Sequence, residues 1–359
     1  MKYYRFLDGF RAYSVLWVIW HHTLPAFGML EWVSHPLLHR LLIRVSAIGF
    51  LGVDVFFVIS GFLITGLLLG DLDDQVRMKR FYVRRFFKIA PHYLLILAAG
   101  FLIMPFVSHP ADYDARTVLS YFVFLHNYVD PIYIFGHLWS IAVEEHFYFL
   151  YPMLLAVICR VRTDAGARRR LLLGLLVLLI GVGNAIRAWC FRDLVSLNDP
   201  LPWQVTHVRF DGLMFGCLLR VLERDITALG PTIRRWTGRL CWWIGTALFI
   251  SFVLKFYKNV WYSYTLAYVA AGSLLLAGLL EVRAVLLLTG AAWLRFVGKN
   301  SYGIYLWHYV LKFPLLELKP YLNGLILGTV YVVLSVAFGV LTTVTVEQYF
   351  LRLRKRIMP

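Results

Sequence analysis

The chain has 359 residues, of which 60% are hydrophobic and 17% aromatic, while only 16% are charged. A soluble domain of this length carries about a quarter charged residues and less than about half apolar ones. The composition therefore excludes a soluble globular domain, and it equally excludes disordered, collagen-like and disulfide-rich chains. It predicts an integral membrane protein.

The formal net charge of +16 at pH 7 has two interpretations. In a soluble protein a basic balance favours nucleic-acid binding, whereas in a membrane protein it collects in the cytoplasmic connections. Basic residues are concentrated here in the connections 71–90 and 160–170 and in the last residues, while the connection 108–136 is acidic or weakly charged. The charge is therefore explained by topology, and no nucleic-acid partner is expected.

The four cysteines lie in or beside apolar stretches and form no C-x-x-C pair. Closely spaced cysteine pairs are typical of zinc sites, and an even number of cysteines in a short secreted chain is typical of a disulfide framework. Neither pattern is present, so we expect no bound metal and no disulfide scaffold.

Ten segments are apolar enough to cross a bilayer, which takes about 20 residues in a helix. The segment 117–127 is apolar but short, which predicts a re-entrant or interfacial piece. We therefore predict an all-α integral membrane protein with one transmembrane domain over residues 1–359 and no separate soluble domain. The predicted spans are 8–28, 47–70, 84–107, 138–159, 171–191, 206–223, 240–256, 263–281, 300–317 and 323–350.

Loop charge predicts the orientation of these spans. Connections rich in Lys and Arg stay in the cytoplasm, which places 71–90 and 160–170 inside and 108–136 outside. With ten spans, both termini are then cytoplasmic. The first span is not expected to be a cleaved signal peptide, because Arg11 and two histidines interrupt its apolar run.

Ionisable residues inside a predicted span are costly and usually face a bundle interior or a water-filled path. Arg11 and His22 are 11 residues apart in the first span, which places them on one helix face about 16 Å apart along the axis. His21 points roughly 100° away from that face. Asp8, one turn before Arg11, could pair with it. A structural ion pair and a histidine bonded to a neighbouring helix remain the alternative.

Two further spans carry polar stripes at helical spacing, and each stripe could equally be a structural network. In the second span Asp54 lies at a similar depth, where it could partner a histidine or a hydroxyl. Glu145 lies off the stripe of its span. The stripes consist of His137, Ser140, Glu144 and Tyr148 in the fourth span, and of Ser301, Tyr305, His308 and Lys312 in the ninth.

A run of cations leads into the third span. Arg84, Arg85 and Lys88 recur at helical spacing, where a nucleotide or pyrophosphate could dock from the cytoplasm. A purely topological or lipid-headgroup role is the alternative.

Several ordered motifs between residues 7 and 347 resemble those of acyltransferase family 3, a family of integral membrane proteins. No single motif is specific, but their order along almost the whole chain is. They are LDGFR at 7–11 with His22, GVDVFFVISGFLI at 52–64 (which includes Ser60), FYVRRFFKIAP at 81–91, HLWSIAVEE at 137–145, RFD at 209–211, SYGIYLWH at 301–308 and VE at 346–347.

The resemblance implies transfer of an acyl group, commonly acetyl from cytoplasmic acetyl-CoA, to a hydroxyl of a carbohydrate or similar acceptor. The family's Arg-x10-His signature falls on Arg11 and His22. Its basic motif often reads Arg-x-x-Arg, and Lys88 here keeps the charge but loses the bidentate geometry. The resemblance also makes a bacterial cytoplasmic membrane the expected location. It adds supporting or acceptor-binding residues, namely Asp8, Asp54, Ser60, Ser140, Glu145, Arg209, Asp211, Tyr305 and His308.

A mechanism follows from these residue types. His22 is expected to act as general base for the acceptor hydroxyl, with Arg11 holding the donor or stabilising negative charge. Glu144 or Asp54 could orient His22 or bind the acceptor. Direct transfer is preferred over an acyl-histidine relay. Acyl-CoA is expected as a co-substrate, with no permanently bound cofactor, and the other partners are a carbohydrate or glycolipid acceptor and membrane lipids.

Two other classes of function compete with an acyltransferase. A transporter also uses buried Arg, His and Glu, but inverted repeats, which would favour it, are not visible in the hydropathy. A receptor or scaffold without chemistry does not account for polar stripes on several separate spans.

Overall fold

The fold is all-helical, as predicted, over the part of the chain that a computed structural model describes. This part comprises residues 3–31, 33–69, 75–107, 114–129, 131–161, 164–192, 203–254 and 261–357.

The helices are numbered here in chain order. The first eight are α1 (Arg5–Phe27), α2 (Pro36–Ala47), α3 (Leu51–Leu68), α4 (Gln75–Ile103), α5 (Ala115–Phe122), α6 (Trp139–Val161), α7 (Ala165–Phe191) and α8 (Thr206–Arg209). The next eight are α9 (Asp211–Thr227), α10 (Pro231–Leu254), α11 (Tyr262–Leu279), α12 (Arg283–Thr289), α13 (Ala292–Lys299), α14 (Ser301–Leu316), α15 (Gly324–Thr342) and α16 (Gln348–Ile357). A 3₁₀ segment, Tyr133–Leu138, leads into α6, and a π-helical turn, Thr343–Glu347, joins α15 to α16.

Helix ends follow from local side-chain and backbone chemistry. Asp114 caps α5 by accepting a hydrogen bond from the Thr117 N–H at 2.7 Å, and bonds from the Thr117 hydroxyl and N–H lower the pKa of this carboxyl. Gly28 ends α1 with φ of 67° while its N–H donates to the Leu24 carbonyl at 3.2 Å. A residue with a side chain is strained at this φ, so glycine is the natural stop.

Seven helical stretches among the described residues are long and apolar enough to cross a membrane, so the chain is a multi-pass membrane protein. They coincide with seven of the ten predicted spans. These stretches are Pro36–Leu68, Met78–Phe106, Tyr133–Val161, Ala165–Phe191, Pro231–Leu254, Tyr262–Leu279 and Gly324–Ile357.

The other three predicted spans correspond to α1, α9 and α14. Helices α9 and α14 have 17 and 16 residues, and α1 carries Arg5, Asp8 and Arg11. All three pack between other helices, with α1 against α3 and α14, and α9 against α3 and α7. A helix surrounded by protein does not need an apolar face toward lipid. Their crossing of the membrane therefore stays a prediction, as does the cytoplasmic location of both termini.

Two short helices lie largely outside the ten spans predicted from the sequence. The segment predicted to be re-entrant or interfacial forms α5, which has 8 residues and exposes Leu119 and Phe122. Helix α2 was not predicted. It lies just before α3, and its exposed Leu37, Leu38 and Leu41 form an apolar surface on the outside of the bundle.

Glycines let the central helices approach closely. A Cβ at Gly61 of α3 would overlap the Leu213 carbonyl of α9, and a Cβ at Gly216 of α9 would overlap the Val58 carbonyl of α3. Gly303 of α14 meets α15 in the same way. Small residues at such contacts are the usual way for membrane helices to gain packing energy. The pocket described next lies beside these contacts.

Candidate active site

A cavity of about 130 Å³, here called the central pocket, lies between α1, α3, α4, α6 and α14. Its walls combine apolar residues of α3 with polar side chains from all five helices. The polar lining residues are Arg11, Ser60, Arg85, Lys88, Ser140, Glu144, Tyr148, Ser301, Tyr302 and Tyr305. Seven residues that the sequence predicts for the site therefore meet in one place, namely Arg11, Ser60, Arg85, Lys88, Ser140, Glu144 and Tyr305.

Glu144 is held by two hydroxyl groups in this pocket. Ser60 donates to its Oε1 at 2.7 Å, and Tyr148 donates to its Oε2 at 2.9 Å. The Tyr148 hydroxyl also lies 3.3 Å from Ser60 Oγ. Hydroxyl donors stabilise a carboxylate away from bulk water. Glu144 is thus fixed toward the pocket, and within the described residues its hydrogen bonds go to these hydroxyls and not to His22.

Three cations face the same space. Arg11, Arg85 and Lys88 come from α1 and α4 and line the pocket together. The ion pairs that the described residues form do not include them, and the Arg85 guanidinium lies 4.8 Å from the ring centroid of Tyr148. Unpaired cations in a membrane protein mark a path or site for negative charge. The central pocket can therefore hold an anionic group or the partly negative oxygens of carbonyl groups.

The stripes of α6 and α14 run antiparallel and meet side chain to side chain. The Ser140 and Tyr305 hydroxyl oxygens are 2.7 Å apart, and the Tyr305 hydroxyl also donates to the His137 carbonyl at 2.9 Å. Beyond them the rings of His137 and His308 lie 5.3 Å apart. We call Glu144, Ser140, Tyr305, His137 and His308 the polar column.

His22 lies at the far end of the polar column. Its ring centroid is 5.4 Å from that of His308 and 4.9 Å from that of Tyr309. The ring of His21 lies 5.0 Å from that of His22, and its Nδ1 is 2.7 Å from the Ser46 carbonyl oxygen of α2. The two histidines thus contact different residues, while the placement of His22 on the face of Arg11 stays a prediction. His22 does not belong to the lining of the central pocket and is connected to it through the column.

Asp54 has a different partner from the one predicted. Its Oδ1 accepts a hydrogen bond from Arg209 Nη2 at 2.8 Å, and both side chains are buried. The Arg209 guanidinium also lies 4.0 Å from the ring centroid of Tyr264. The expectation that Asp54 pairs with a histidine or hydroxyl is wrong, because its hydrogen bond among the described residues comes from the buried Arg209 guanidinium of α8. Asp54 and Arg209 therefore hold α3 and α8 together.

Asp211 is likewise part of a buried ion pair. Arg187 donates to both of its carboxylate oxygens, at 2.9 and 2.6 Å, and is completely buried. Arg187 also donates to Asn184 and Thr265. Arg187 was not among the predicted residues, although an arginine near the end of the apolar run 171–191 is a visible signal in the sequence.

Three other predicted residues lie outside the lining of the pocket. Asp8 accepts a hydrogen bond from the Tyr3 hydroxyl and forms no ion pair with Arg11, so that predicted pair is wrong. Arg84 is exposed, one position away from Arg85. Glu145 points away from the stripe, as predicted, and its Oε1 has no hydrogen-bond partner among the described residues. Tyr302, which sequence analysis did not single out, lines the pocket.

Comparison with known proteins identifies the family of the chain. The sequence model of a family described as an acyltransferase domain matches residues 4–344. The chain is 28% identical over 347 residues to the peptidoglycan O-acetyltransferase OatA of Listeria monocytogenes, covering 88% of this chain and 51% of that protein.

Two further relatives show the same extent of similarity. The putative peptidoglycan O-acetyltransferase YrhL of Bacillus subtilis is 28% identical over 351 residues, with 88% of this chain and 50% of that protein covered. The O-acetyltransferase OatA of Staphylococcus aureus strain NCTC 8325 is 27% identical over 345 residues, with 86% and 50% covered. The chain thus spans about half the length of these curated relatives. No solved structure matches it.

Proposed function

The chain belongs to the acyltransferase family whose sequence model matches residues 4–344, and from this premise we propose that it is a membrane O-acetyltransferase. The donor is acetyl-CoA, and the acceptor is a hydroxyl group of a carbohydrate or glycolipid. The names of two relatives refer to peptidoglycan, which supports a cell-envelope glycan as acceptor and a bacterial cytoplasmic membrane as the location.

The polar column is the observation that carries this proposal. It connects the central pocket, with its three unpaired cations, to His22. Along it, polar residues of α6 contact polar residues of α14, Ser140 with Tyr305 and His137 with His308. A network with a purely structural role does not require unpaired cations that line a cavity. Acyl transfer from an anionic donor requires both a cationic site and a base.

His22 acts as the general base. A sugar hydroxyl is a weak nucleophile and must lose its proton as its oxygen attacks the thioester carbonyl carbon, and an imidazole accepts protons near neutral pH. The new C–O bond forms, the C–S bond breaks, and the CoA sulfur leaves with the proton that His22 received. The products are the acetyl ester and CoA, so the step needs no further reactant.

The cations of the central pocket bind the donor. Arg85 and Lys88 donate hydrogen bonds to its carbonyl oxygens, and Arg11 holds its acyl end before the acetyl group advances toward His22. Arg84 is left out of this donor site because it is exposed and does not line the pocket. Glu144 accepts hydrogen bonds from hydroxyl groups already, so it is suited to bind an acceptor hydroxyl.

Direct transfer requires the acetyl group to advance along the polar column, because Arg11 and His22 are about 16 Å apart along α1. The alternative is a relay in which His22 Nδ1 or Nε2 first takes the acetyl group from the donor and then gives it to the acceptor. Mass spectrometry after incubation with acetyl-CoA alone separates the two routes. Direct transfer predicts an unmodified His22 peptide, whereas the relay adds one acetyl group to it.

A transfer assay with a pair of histidine variants tests the function. The full chain is reconstituted in vesicles with acetyl-labelled CoA, and glycan fragments are analysed for label. His22→Gln should lower transfer by about 10²–10⁴-fold, as loss of a general base does, while His21→Gln should keep most of it. An inactive His21→Gln with a normal His22→Gln would reject the base assignment, and solute movement without labelled glycan would favour a transporter.

A further inference from the structure

A second cavity, larger than the central pocket, is not used by the proposed reaction. It measures about 960 Å³ and is lined by the N-terminal end of α1, the ends of α3, α6, α9 and α11 and the beginnings of α7 and α10. We call it the arginine cavity, because five arginines line it against three carboxylates. These are Arg168, Arg169, Arg220, Arg224 and Arg234, with Glu223, Asp225 and Glu281.

The arginine cavity lies beyond the central pocket along three helices. On α6 Tyr148 lines the central pocket and Leu155 the cavity, seven residues further on. On α3 Leu63 lines the pocket and Leu69 lies at the cavity. The N-terminal end of α1 borders the cavity at Tyr4. Seven residues are two helical turns, about 10 Å. The cavity is thus displaced from the pocket in one direction on each helix, toward the predicted cytoplasmic side.

The walls of the cavity are held in place by packing and hydrogen bonds. Arg220 pairs with Glu223 and lies over the ring of Phe62, 5.3 Å from its centroid. Gly66 leaves the space for this guanidinium, since a Cβ there would lie 2.5 Å from Arg220 Nε. The Tyr4 hydroxyl donates to Glu223, and burial together with this carboxylate raises the pKa of Tyr4 to about 12. An arginine is therefore fixed on the cavity wall nearest to α3.

Size and charge decide what the two spaces can hold. Sites for small molecules usually measure about 300–1,000 Å³. The central pocket, at about 130 Å³, admits the acyl end of a thioester but not a nucleotide. The arginine cavity, at about 960 Å³, has that room, and guanidinium groups match phosphate oxygens in geometry and charge.

We infer that the arginine cavity binds the phosphorylated nucleotide end of the CoA donor, while the pantetheine arm leads the acyl group to the central pocket. This inference rests on the proposed function, which supplies the donor. It adds a second part to the donor site on α7, α9 and α10, away from the basic motif of α4. A phospholipid headgroup presents the same phosphate chemistry, so the experiment has to separate the two sources.

Binding measurements on the full chain test the inference without requiring turnover. Acetyl-CoA, adenosine 3′,5′-bisphosphate and acetyl-pantetheine are titrated into the protein in nanodiscs of zwitterionic lipid. The test variant is Arg168→Ala/Arg224→Ala, which removes two arginines of the lining. The matched control is Arg170→Ala/Arg235→Ala, which removes equal charge from neighbouring positions outside the lining.

The inference predicts that the test variant loses at least about tenfold in affinity for acetyl-CoA and for the bisphosphate, as expected for lost charged hydrogen bonds. Affinity for acetyl-pantetheine, which lacks the nucleotide, should stay unchanged, and the control variant should behave as the wild type. Equal losses in both variants would overturn the inference in favour of bulk charge.

Two further outcomes separate the inference from the proposed function. If the wild type binds acetyl-CoA and the test variant binds it equally well, the cavity assignment fails while the donor stands. If the wild type binds no acetyl-CoA, both fail. The bisphosphate titration is then repeated in nanodiscs that contain anionic lipid. If the cavity is a lipid-headgroup site, the anionic lipid competes with the bisphosphate. That result would overturn the nucleotide assignment.

Discussion

The hydroxyl oxygens of Ser140 and Tyr305 lie 2.7 Å apart and join the polar faces of α6 and α14. This contact stands between the cation-lined pocket and the histidines that follow it, because both residues line the pocket and Tyr305 also lies 5.2 Å from the ring of His308. Any group that passes from the donor site to His22 meets this hydroxyl pair first.

The basic motif offers a comparison of adjacent arginines. Arg85→Ala should raise the apparent KM for acetyl-CoA by about tenfold or more, because a charged hydrogen bond to the donor is lost. Arg84→Ala should leave it close to the wild-type value, since Arg84 is exposed and does not line the pocket. Steady-state kinetics with varied acetyl-CoA checks both. If Arg85→Ala is present at normal protein levels and its KM for acetyl-CoA is unchanged, the basic motif only determines the topology of the chain and does not bind the donor.

Two neighbouring glutamates provide a second comparison. Glu144→Gln should lower kcat by about tenfold or more, because the amide no longer accepts two hydrogen bonds from Ser60 and Tyr148 with a full negative charge. Glu145→Gln should have a smaller effect, since Glu145 is off the stripe. Transfer rates at saturating donor and acceptor are the measurement. A larger loss at Glu145 than at Glu144 would place the reacting groups on the other face of α6.

The orientation of the chain can be tested by thiol labelling. After the four native cysteines are replaced, Arg116→Cys in α5 should react with an impermeant thiol reagent on intact spheroplasts, and Arg170→Cys in α7 should react only after lysis. Both positions are exposed. The expectation follows from the positive-inside rule. The reverse pattern would invert the topology and with it the cytoplasmic entry of the donor.

The close approach of α3 and α9 makes a stability prediction. Gly216→Val should lower the free energy of unfolding by about 1–3 kcal/mol, since overpacking at a tight contact costs that much and a Cβ there overlaps the Val58 carbonyl. Gly174→Ala in α7 is the control, because no atom lies within 4 Å of the added Cβ. Thermal unfolding in detergent measures both. Equal stability of the two variants would contradict the packing argument.

The all-helical fold and seven of the spans could be predicted because each depends on local hydropathy. Helix α2 could not, since its apolar residues mix with Arg40 and Arg44 and resemble a loop in a hydropathy profile. The crossing of α1, α9 and α14 was predicted as well but stays a prediction, because these helices are too short or too charged to be identified as spans by length and hydropathy.

In the candidate site, too, local features could be predicted from the sequence and contacts between helices could not. Helical phase on one helix predicts different directions for His22 and His21, because the angle between consecutive residues is fixed, and in the structure the two rings have different neighbours. Partners between helices were less predictable. Asp54 and Asp211 pair with Arg209 and Arg187, and only the tertiary arrangement decides which of several buried groups a carboxylate meets. The sequence also does not show which side chain of the basic motif is exposed, because Arg84 and Arg85 are adjacent and chemically identical.

The close contact of Gly61 and Gly216 links the packing of α3 and α9 to the central pocket. Each glycine lets its helix lie against a carbonyl oxygen of the other, so a larger side chain at either position would push the two helices apart. Ser60 directly precedes Gly61 on α3 and donates to Glu144 in the pocket. A substitution made for stability at this contact would therefore also displace a hydroxyl group of the candidate site.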